Sequence, residues 1–149
     1  MGRVPRVLPS PDTGLVRIPV QFDLRKGSVE LPDARVTWSV SSRRSSAGAM
    51  HGGGVELLDA DAVGDRVTLR RWRSGDRYRP LGAPGRAKVG DIFTNRHVPI
   101  AERSVRWVME TEQGGLCWVE GLPPGHDFRI QDNTKRVIRW RWSRHLPPL

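Results

Sequence analysis

The sequence has almost no cysteine and no long apolar run. Cys117 is the only cysteine among 149 residues, so no internal disulfide can form, as is typical of proteins from reducing compartments. No apolar stretch approaches the roughly 20 residues that span a bilayer, and residues 1–11 lack the apolar core of a secretory signal. These absences exclude a disulfide-stabilised secreted domain and predict a soluble, cytoplasmic chain that does not bind membranes.

Motifs of the common catalytic and cofactor sites are also absent. No Gly-x-x-x-x-Gly-Lys-Ser/Thr or Gly-x-Gly-x-x-Gly loop occurs, which argues against the usual nucleotide-binding folds. The four histidines share no metal-ligand spacing and no cysteine cluster accompanies them, so no metal site is predicted. His51 precedes three glycines, but the Gly-x-Ser-x-Gly turn of an esterase is missing. Cys117 lies in an apolar strand pattern, so we expect it to be buried rather than nucleophilic.

Positive charge is concentrated in the second half of the chain. The net charge is +9; residues 1–69 hold nine basic and eight acidic side chains, whereas residues 70–149 hold sixteen and eight. Such asymmetry points to a polyanionic partner. Of the basic residues 22 are arginine and three are lysine. Arginine suits bidentate phosphate contacts, but a GC-rich coding sequence produces the same bias, and composition leaves both explanations open.

The apolar pattern predicts a sheet-rich α+β fold with one or two short helices. Val89, Ile92 and Phe93 have helical spacing, and Pro99 is expected to open a second short helix at its first position. Gly114 and Gly115 predict a hairpin turn, and residues 59–64 predict another turn. Alternating or continuous apolar positions predict strands over residues 15–24, 36–40, 55–58, 67–71, 105–109, 116–119, 127–130 and 137–142.

The same pattern predicts four segments along the chain. Residues 1–14 form an irregular, proline-containing lead-in. Residues 15–66 form a β-rich leading segment that contains a Ser/Gly-rich loop over residues 41–54. Residues 67–143 are expected to form a basic C-terminal domain, whose bounds come from a family resemblance, and residues 144–149 are expected to form a tail.

The most informative segment is the run over residues 69–82, Leu-Arg-Arg-Trp-Arg-Ser-Gly-Asp-Arg-Tyr-Arg-Pro-Leu-Gly. Its five arginines are interleaved with Trp72 and Tyr78, a combination that suits phosphates and stacked bases. Whether these two rings pack on a nucleotide or in the core stays open. Asp76 is expected to stabilise a turn or orient an arginine. Further on, Trp140 and Trp142 alternate with arginines, which predicts buried indoles and exposed guanidinium groups on one strand.

From Leu69 to about Trp140 the chain resembles the C-terminal domain of bacterial tRNA(Ile)-lysidine synthases. The specific core of this resemblance is the Gly-Asp-Arg-aromatic-x-Pro-Leu-Gly element that begins at Gly75. The remaining matches follow in the family's order: Leu69 to Arg73, Gly85, Lys88, Asp91 to Phe93, Val98-Pro99, Glu102-Arg103, Trp118-Val119, Gly121 and Thr134-Lys135.

The resemblance implies both a fold and a function. The fold is expected to be similar to a domain of the phenylalanyl-tRNA synthetase β subunit. The family uses ATP and Mg to join lysine to the wobble cytidine of an isoleucine tRNA, in an N-terminal domain with a Ser-Gly-Gly-x-Asp-Ser loop. This sequence has no such loop. We therefore expect it to bind tRNA, with isoleucine tRNA as the expected partner, without a catalytic site or cofactor of its own.

Eight basic side chains are candidate tRNA phosphate contacts, on the basis of charge clustering and family position. For any one of them a solvated surface charge is an equally good interpretation. An alternative function is a non-catalytic interaction subunit that docks onto a separately encoded catalytic domain. The candidate contacts are Arg71, Arg73, Arg77, Arg79, Arg86, Lys88, Arg96 and Arg103.

Overall fold

Two four-stranded antiparallel sheets share one hydrophobic core in the computed structural model, which describes residues 16–43 and 54–145. Sheet A has the strand order β1-β5-β8-β9, and sheet B has the order β2-β3-β10-β4. A two-stranded ribbon, β6–β7, lies outside these sheets. The strands are β1 Arg17–Gln21, β2 Lys26–Glu30, β3 Ala34–Ser42, β4 Val55–Asp59, β5 Arg66–Arg71, β6 Arg77–Tyr78, β7 Ala87–Lys88, β8 Trp107–Thr111, β9 Leu116–Val119 and β10 Arg136–Arg144.

Three short α-helices connect the strands within the described ranges. Helix α1 (Ala60–Val63) replaces the turn predicted over residues 59–64, because the Asp59 carboxylate accepts hydrogen bonds from the first free backbone N–H groups. Helix α2 (Val89–Asn95) confirms the helical spacing found in the sequence. Helix α3 (Ile100–Arg103) has Pro99 as its N-cap rather than as its first helical residue. None of the described helices has the length and apolar character needed to cross a bilayer.

Two sequence-based strand predictions need correction. The first predicted strand, residues 15–24, ends at Gln21, because Phe22–Leu24 form a 3₁₀ turn that is closed by Arg25 in a left-handed conformation. The predicted closing strand over residues 127–130 is wrong. His126–Phe128 form another 3₁₀ turn, and the His126 N–H bonds to the Arg79 carbonyl instead of to a sheet.

The domain boundary predicted between residues 66 and 67 lies within a strand. It falls inside β5, which pairs with β1 of the leading segment. Strand β10 lies between β3 and β4, so the last of the described strands is inserted into the sheet formed by the first half of the chain. Ser41 and Ser42 of the predicted loop belong to β3. Residues 44–53 of that loop, the lead-in over residues 1–14 and the tail from residue 146 lie outside the described residues.

Trp140 stands at the centre of the shared core. Its side chain is completely buried, and its ring contacts Trp118 at 5.6 Å between centroids, Phe22 at 6.1 Å and Trp38 at 6.3 Å. Because Phe22 and Trp118 adjoin sheet A while Trp38 belongs to sheet B, these aromatic pairs join the two layers.

The alternation along β10 confirms the sequence-based prediction of buried indoles and exposed guanidinium groups. Trp140 and half-buried Trp142 face the core, whereas Arg139 and Arg141 are exposed. Cys117 is also buried as predicted. Burial raises the pKa of its thiol, which makes it a poor nucleophile.

Asp33, between β2 and β3, connects the two sheets through polar contacts. Its carboxylate accepts hydrogen bonds from Arg71 at 2.7 Å, Arg144 at 2.9 Å and the Trp107 indole at 3.0 Å. Burial acts to raise the pKa of Asp33, but the hydrogen bonds of Arg71 and Trp107, the charge of Arg71 and the Arg144 hydrogen bond outweigh it and lower the pKa. The carboxylate thus stays ionised while it holds this turn of sheet B against β5 and β8.

Trp140→Ala should lower the free energy of unfolding by about 3–5 kcal/mol, because it leaves a cavity between the two sheets. Arg141→Ala, one position away on the opposite face of β10, is the matched control and should change it by about 0.5 kcal/mol or less. Urea unfolding measures both. Equal unfolding midpoints for the two variants would contradict the central position of Trp140.

Asp33→Asn should lower the unfolding free energy by about 1–2 kcal/mol at pH 7, because the charge-assisted hydrogen bonds are weakened. Since the folded-state pKa of Asp33 lies below its ordinary value, its contribution is fully present above about pH 4 and is lost as the pH falls through the folded-state pKa. The difference between wild type and variant should therefore shrink in acid. The control variant Asp132→Asn, at an exposed position, should have the same unfolding free energy as wild type at pH 7 and in acid. If the difference between wild type and Asp33→Asn did not change with pH, the ionised Asp33 carboxylate would not be the stabilising group.

Candidate arginine cleft

An open cleft of about 240 Å³ lies beside sheet A and is lined by five arginines; we call it the arginine cleft. One wall is the segment after β5 together with β6, and the loop between β6 and β7 contributes to the rim. The opposite wall comes from the β8–β9 turn and the 3₁₀ turn His126–Phe128. The arginines are Arg70, Arg73, Arg77, Arg79 and Arg86.

A buried ion pair forms the floor of the arginine cleft. Arg70, whose side chain is 3% exposed, donates to both carboxylate oxygens of Asp76, at 2.8 and 3.0 Å. It also reaches Glu110 at 3.3 Å, and Glu110 pairs with Arg17 at 2.7 Å. Burial acts to lower the pKa of Arg70, but the hydrogen bonds and charges of Asp76 and Glu110 outweigh it and raise the pKa. Arg70, Asp76 and Glu110 therefore line the floor, and Arg17, which lies outside the lining, pairs with Glu110.

The same Asp76 fixes the turn that precedes β6. Its carboxylate accepts the Arg73 backbone N–H at 3.0 Å, and its own N–H bonds to the Arg73 carbonyl at 3.2 Å. Gly75 has a φ of 97°, a conformation that glycine adopts without steric cost. The Asp76 carbonyl accepts the Val89 N–H at 2.9 Å, which attaches the turn to α2. This geometry confirms the turn-stabilising and arginine-orienting roles predicted for Asp76.

Side-chain contacts across the rim hold the two walls together. Arg79 donates to the Asp127 carboxylate and to the Ala83 carbonyl, both at 2.9 Å. The Gly82 N–H donates to Nδ1 of His126 at 3.0 Å. Because Nδ1 accepts this hydrogen bond, it carries no proton and the imidazole ring is neutral. Desolvation and the charges of Arg129 and Arg79 lower the pKa of His126 and so favour that neutral form.

Three guanidinium groups of the arginine cleft remain available to a ligand. The Arg73 side chain is 59% exposed, and its nearest acid is Asp76 at 3.9 Å. Arg77 and Arg86 are exposed and form no side-chain hydrogen bond or ion pair with any of the described residues. Five arginines and the carboxylates of Asp76, Glu110 and Asp127 line the cleft, so its lining carries an excess of two positive charges.

The structure separates the eight candidate contacts into distinct environments. Arg73, Arg77, Arg79 and Arg86 line the arginine cleft, and exposed Lys88 is the strand partner of Arg77. Arg96 is exposed and borders a different cavity.

Arg71 and Arg103 have internal partners. Arg71 is buried, bonds to Asp33 and the Val105 carbonyl, and lies 4.0 Å above the Trp107 ring. Arg103 bonds to the Val98 carbonyl and the Thr94 hydroxyl, which ties α3 to α2. We therefore leave both side chains out of the arginine cleft.

The two aromatic residues of the run pack inside the protein. Tyr78 is 1% exposed and donates its hydroxyl proton to the Pro123 carbonyl. Burial raises its pKa well above the usual value. Trp72 is half-buried and packs edge-to-face on Phe93, with 5.6 Å between ring centroids. Tyr78 and half-buried Phe128 are both among the residues that line the arginine cleft.

Sequence reasoning missed Arg70 as the anchor of the floor, as well as Glu110 and the wall formed by His126, Asp127 and Phe128. The short spacing between Arg70 and Asp76 was a usable local signal. The other contacts join positions about forty or more residues apart. Over residues 16–43 and 54–145, no group of three or more His, Cys, Asp and Glu side chains is placed to hold a metal ion.

Curated relatives of this chain carry the name tRNA(Ile)-lysidine synthase. The protein from Bacteroides thetaiotaomicron is 32% identical over 84 residues, which cover 56% of this chain and 20% of that protein. The protein from Clostridium acetobutylicum is 32% identical over 90 residues, which cover 60% of this chain and 19% of that protein. The protein from Bacillus subtilis is 31% identical over 94 residues, which cover 61% of this chain and 20% of that protein. The matched region thus spans about a fifth of the length of these relatives.

Two solved structures share the fold. A crystal structure of a TilS C-terminal domain aligns with a TM-score of 0.64 at 21% identity, covering 82% of this chain and 99% of that one. An N-terminal fragment of the phenylalanyl-tRNA synthetase β subunit from Pyrococcus horikoshii aligns with a TM-score of 0.53 at 14% identity. The alignment covers 60% of this chain and 28% of the fragment. Both confirm the fold that the sequence resemblance implied.

The family model described as the TilS substrate C-terminal domain matches residues 67–142, about half of the chain. The matched region contains all of the arginine cleft, including the buried Arg70–Asp76 pair. On this match, the chain belongs to the TilS substrate C-terminal domain family.

Proposed function

We propose that this chain binds tRNA through the arginine cleft, as the tRNA-recognition domain of a tRNA(Ile)-lysidine synthase. The observation that carries the proposal is the convergence of Arg73, Arg77 and Arg86 on one cleft, where their guanidinium groups have no strong partner among the residues that the structure describes. Family membership and the names of the relatives support tRNA, and isoleucine tRNA in particular, as the ligand.

The charges around the cleft suit a polyphosphate ligand. Guanidinium groups form bidentate hydrogen bonds with phosphate oxygens, and Lys88 adds a fourth cation next to Arg77. Each phosphate neutralised by the protein releases condensed counterions, so affinity should fall steeply with salt. The hydrogen bonds of Asp76 fix the backbone of the turn that carries Arg73 and Arg77 before RNA arrives, which limits the entropy lost on binding.

Under this proposal the chain supplies recognition and no catalysis. Joining lysine to the wobble cytidine, with ATP and Mg, is the work of a separate catalytic region, because the sequence contains no pyrophosphate loop. The chain would act in the cytoplasm with tRNA as its partner. Its tRNA-binding surface comes from the segment between β5 and α2, the β8–β9 turn and the turn at His126.

Replacing the three free arginines with glutamine (Arg73→Gln, Arg77→Gln and Arg86→Gln) should weaken tRNA binding by roughly tenfold to a hundredfold at low salt. The slope of log affinity against log salt concentration should become less steep by roughly two to three, because three phosphate contacts are lost. Filter binding with unmodified isoleucine tRNA and an elongator methionine tRNA, at several salt concentrations, measures both effects and separates specific from general RNA affinity.

The matched control removes three exposed arginines from sheet B (Arg35→Gln, Arg139→Gln and Arg141→Gln), which changes the net charge equally. It should retain most of the affinity. Equal losses in both triple variants would show that binding depends on net charge alone. Unchanged affinity in the cleft variant would refute the location of the interface.

Asp76→Asn should weaken tRNA binding even though it removes a negative charge. The substitution breaks the bidentate pair with Arg70, which destabilises the fold by about 3 kcal/mol and releases the turn that holds Arg73. Asp132→Asn makes the same change in charge at an exposed position away from the arginine cleft and should bind as well as wild type or slightly better. Urea unfolding and filter binding give the two readouts.

A second variant keeps the prediction testable if Asp76→Asn does not fold. Gly75→Ala preserves every charge but strains the turn, because φ at this position is 97°. It should also weaken binding. Tighter tRNA binding by Asp76→Asn, as bulk electrostatics alone would give, would contradict a positioning role for the Arg70–Asp76 pair.

A further inference from the structure

A second cavity of about 440 Å³ lies beyond the end of β9, and we call it the tryptophan cavity. It is bordered by Trp142 of β10, by residues 120–123, by Arg96 at the end of α2 and by Arg106 before β8. The arginine cleft, by comparison, has a volume of about 240 Å³. Because small-molecule sites commonly measure about 300–1,000 Å³, the tryptophan cavity is large enough to receive a nucleobase with its sugar.

One side of the tryptophan cavity is apolar. Part of the Trp142 ring packs on buried Trp118, with 4.8 Å between ring centroids. Trp142 is only half-buried, however, and its accessible part borders the cavity together with half-buried Pro123. Aromatic and apolar surfaces of this kind bind bases that are not stacked inside a helix. The apolar wall therefore suits an unpaired base, which is free to leave its neighbours.

The lining of the tryptophan cavity is electrically neutral overall. Its charged residues are two arginines, Arg96 and Arg106, and two glutamates, Glu56 and Glu120. The Glu120 side chain is 7% exposed, and Arg144 binds its carboxylate at 2.6 Å. Unlike the arginine cleft, with its excess of two positive charges, a neutral lining gives no advantage to a row of phosphates. It can, however, accept an uncharged base.

Arg96 provides a cation that is available to a ligand at the edge of the tryptophan cavity. Its side chain is exposed and forms no hydrogen bond or ion pair with any residue in the ranges 16–43 and 54–145. The contacts of Arg106 with the Glu120 carbonyl, at 3.4 Å, and with Glu102, at 3.8 Å, are long. Guanidinium groups bind phosphate oxygens. An apolar wall beside such a group matches the two parts of one nucleotide, its base and its phosphate.

The two cavities share the chain segment that follows β9. Residues 120–123 border the tryptophan cavity, and residues 125–128 border the arginine cleft. Tyr78 lines the arginine cleft, and its hydroxyl donates to the carbonyl of Pro123, which lines the tryptophan cavity. One RNA molecule can therefore contact both cavities at the same time.

From these observations we propose that the tryptophan cavity binds one unpaired nucleotide of the RNA, with its base against Trp142 and Pro123 and its phosphate at Arg96. The inference rests on the proposed tRNA binding and adds a contact of a different kind. The arginine cleft binds phosphates, whether or not their bases are paired, whereas the tryptophan cavity binds a base that lies outside a helix.

The test compares two forms of one short RNA duplex that carries single-stranded overhangs at both ends of one strand. In the first form the overhangs consist of adenosine nucleotides. In the second form they consist of abasic nucleotides, which keep every phosphate but have no base. The full chain should bind the adenosine form about tenfold more tightly. Because the two forms carry the same charge, the ratio of their affinities measures the contribution of the unpaired bases.

Two variants locate the bound base. Trp142→Leu should reduce the preference for the adenosine form at least severalfold, because it removes aromatic surface from the cavity, and urea unfolding checks that this variant is folded. Arg96→Gln, at an exposed position, should also reduce the preference at least severalfold, since an abasic overhang has no base that holds its phosphate at Arg96. Arg139→Gln, which removes an exposed arginine from sheet B, is the matched control and should retain the full preference.

The outcomes distinguish this inference from the proposed function. Equal affinity for the two duplex forms would overturn the inference and favour an apolar protein segment as the occupant of the cavity. If tRNA binding were still salt-sensitive and weakened by the triple variant of the arginine cleft, the proposed function would stand. A preference that persists unchanged in Arg96→Gln, or in folded Trp142→Leu, would place the base elsewhere and also overturn the inference. Absence of binding to tRNA and to both duplexes would overturn both proposals.

Discussion

The buried pair of Arg70 and Asp76 is the constraint on which the arginine cleft depends. Removing both charges from water is costly, and the bidentate geometry, the second carboxylate of Glu110 and the backbone N–H of Arg73 offset that cost. The carboxylate of Asp76 thereby closes a turn and neutralises Arg70. The backbone carbonyl of the same residue joins the turn to α2. Because Asp76 compensates Arg70 internally, the neighbouring arginines keep their charges for an external ligand.

The two sheets provide a rigid support for that site. The aromatic contacts of Trp140 and the hydrogen bonds of Asp33 join sheet B to sheet A. The walls of the arginine cleft come from connections of sheet A and from the turn at His126, which joins β9 of sheet A to β10 of sheet B. Strands β1 to β4 are therefore part of the structure that holds the cleft, although they precede the region matched by the family model. Coverage of 82% of the chain by the solved TilS domain agrees with this extent.

Local patterns in the sequence were enough to predict much of the fold and only part of the site. The alternation around Trp140 identified β10, and the spacing of Val89, Ile92 and Phe93 identified α2. The arginines, by contrast, look equivalent in sequence. Asp33, thirty-eight positions away, accepts a hydrogen bond from buried Arg71, whereas Arg77 has no such partner within residues 16–43 and 54–145. Contacts between positions far apart in the sequence decide which arginines form internal ion pairs and which remain exposed. Local spacing in the sequence does not predict such contacts.

The central claim is that the arginine cleft is the surface that RNA covers. Hydrogen exchange of the full chain, with and without isoleucine tRNA at low salt, tests it directly because bound RNA slows exchange where it excludes solvent or suppresses local opening. The account predicts slower exchange in residues 73–88 and 114–128 and little change in β2 and β3. Protection confined to β3 and β10, with unchanged exchange around the cleft, would contradict it.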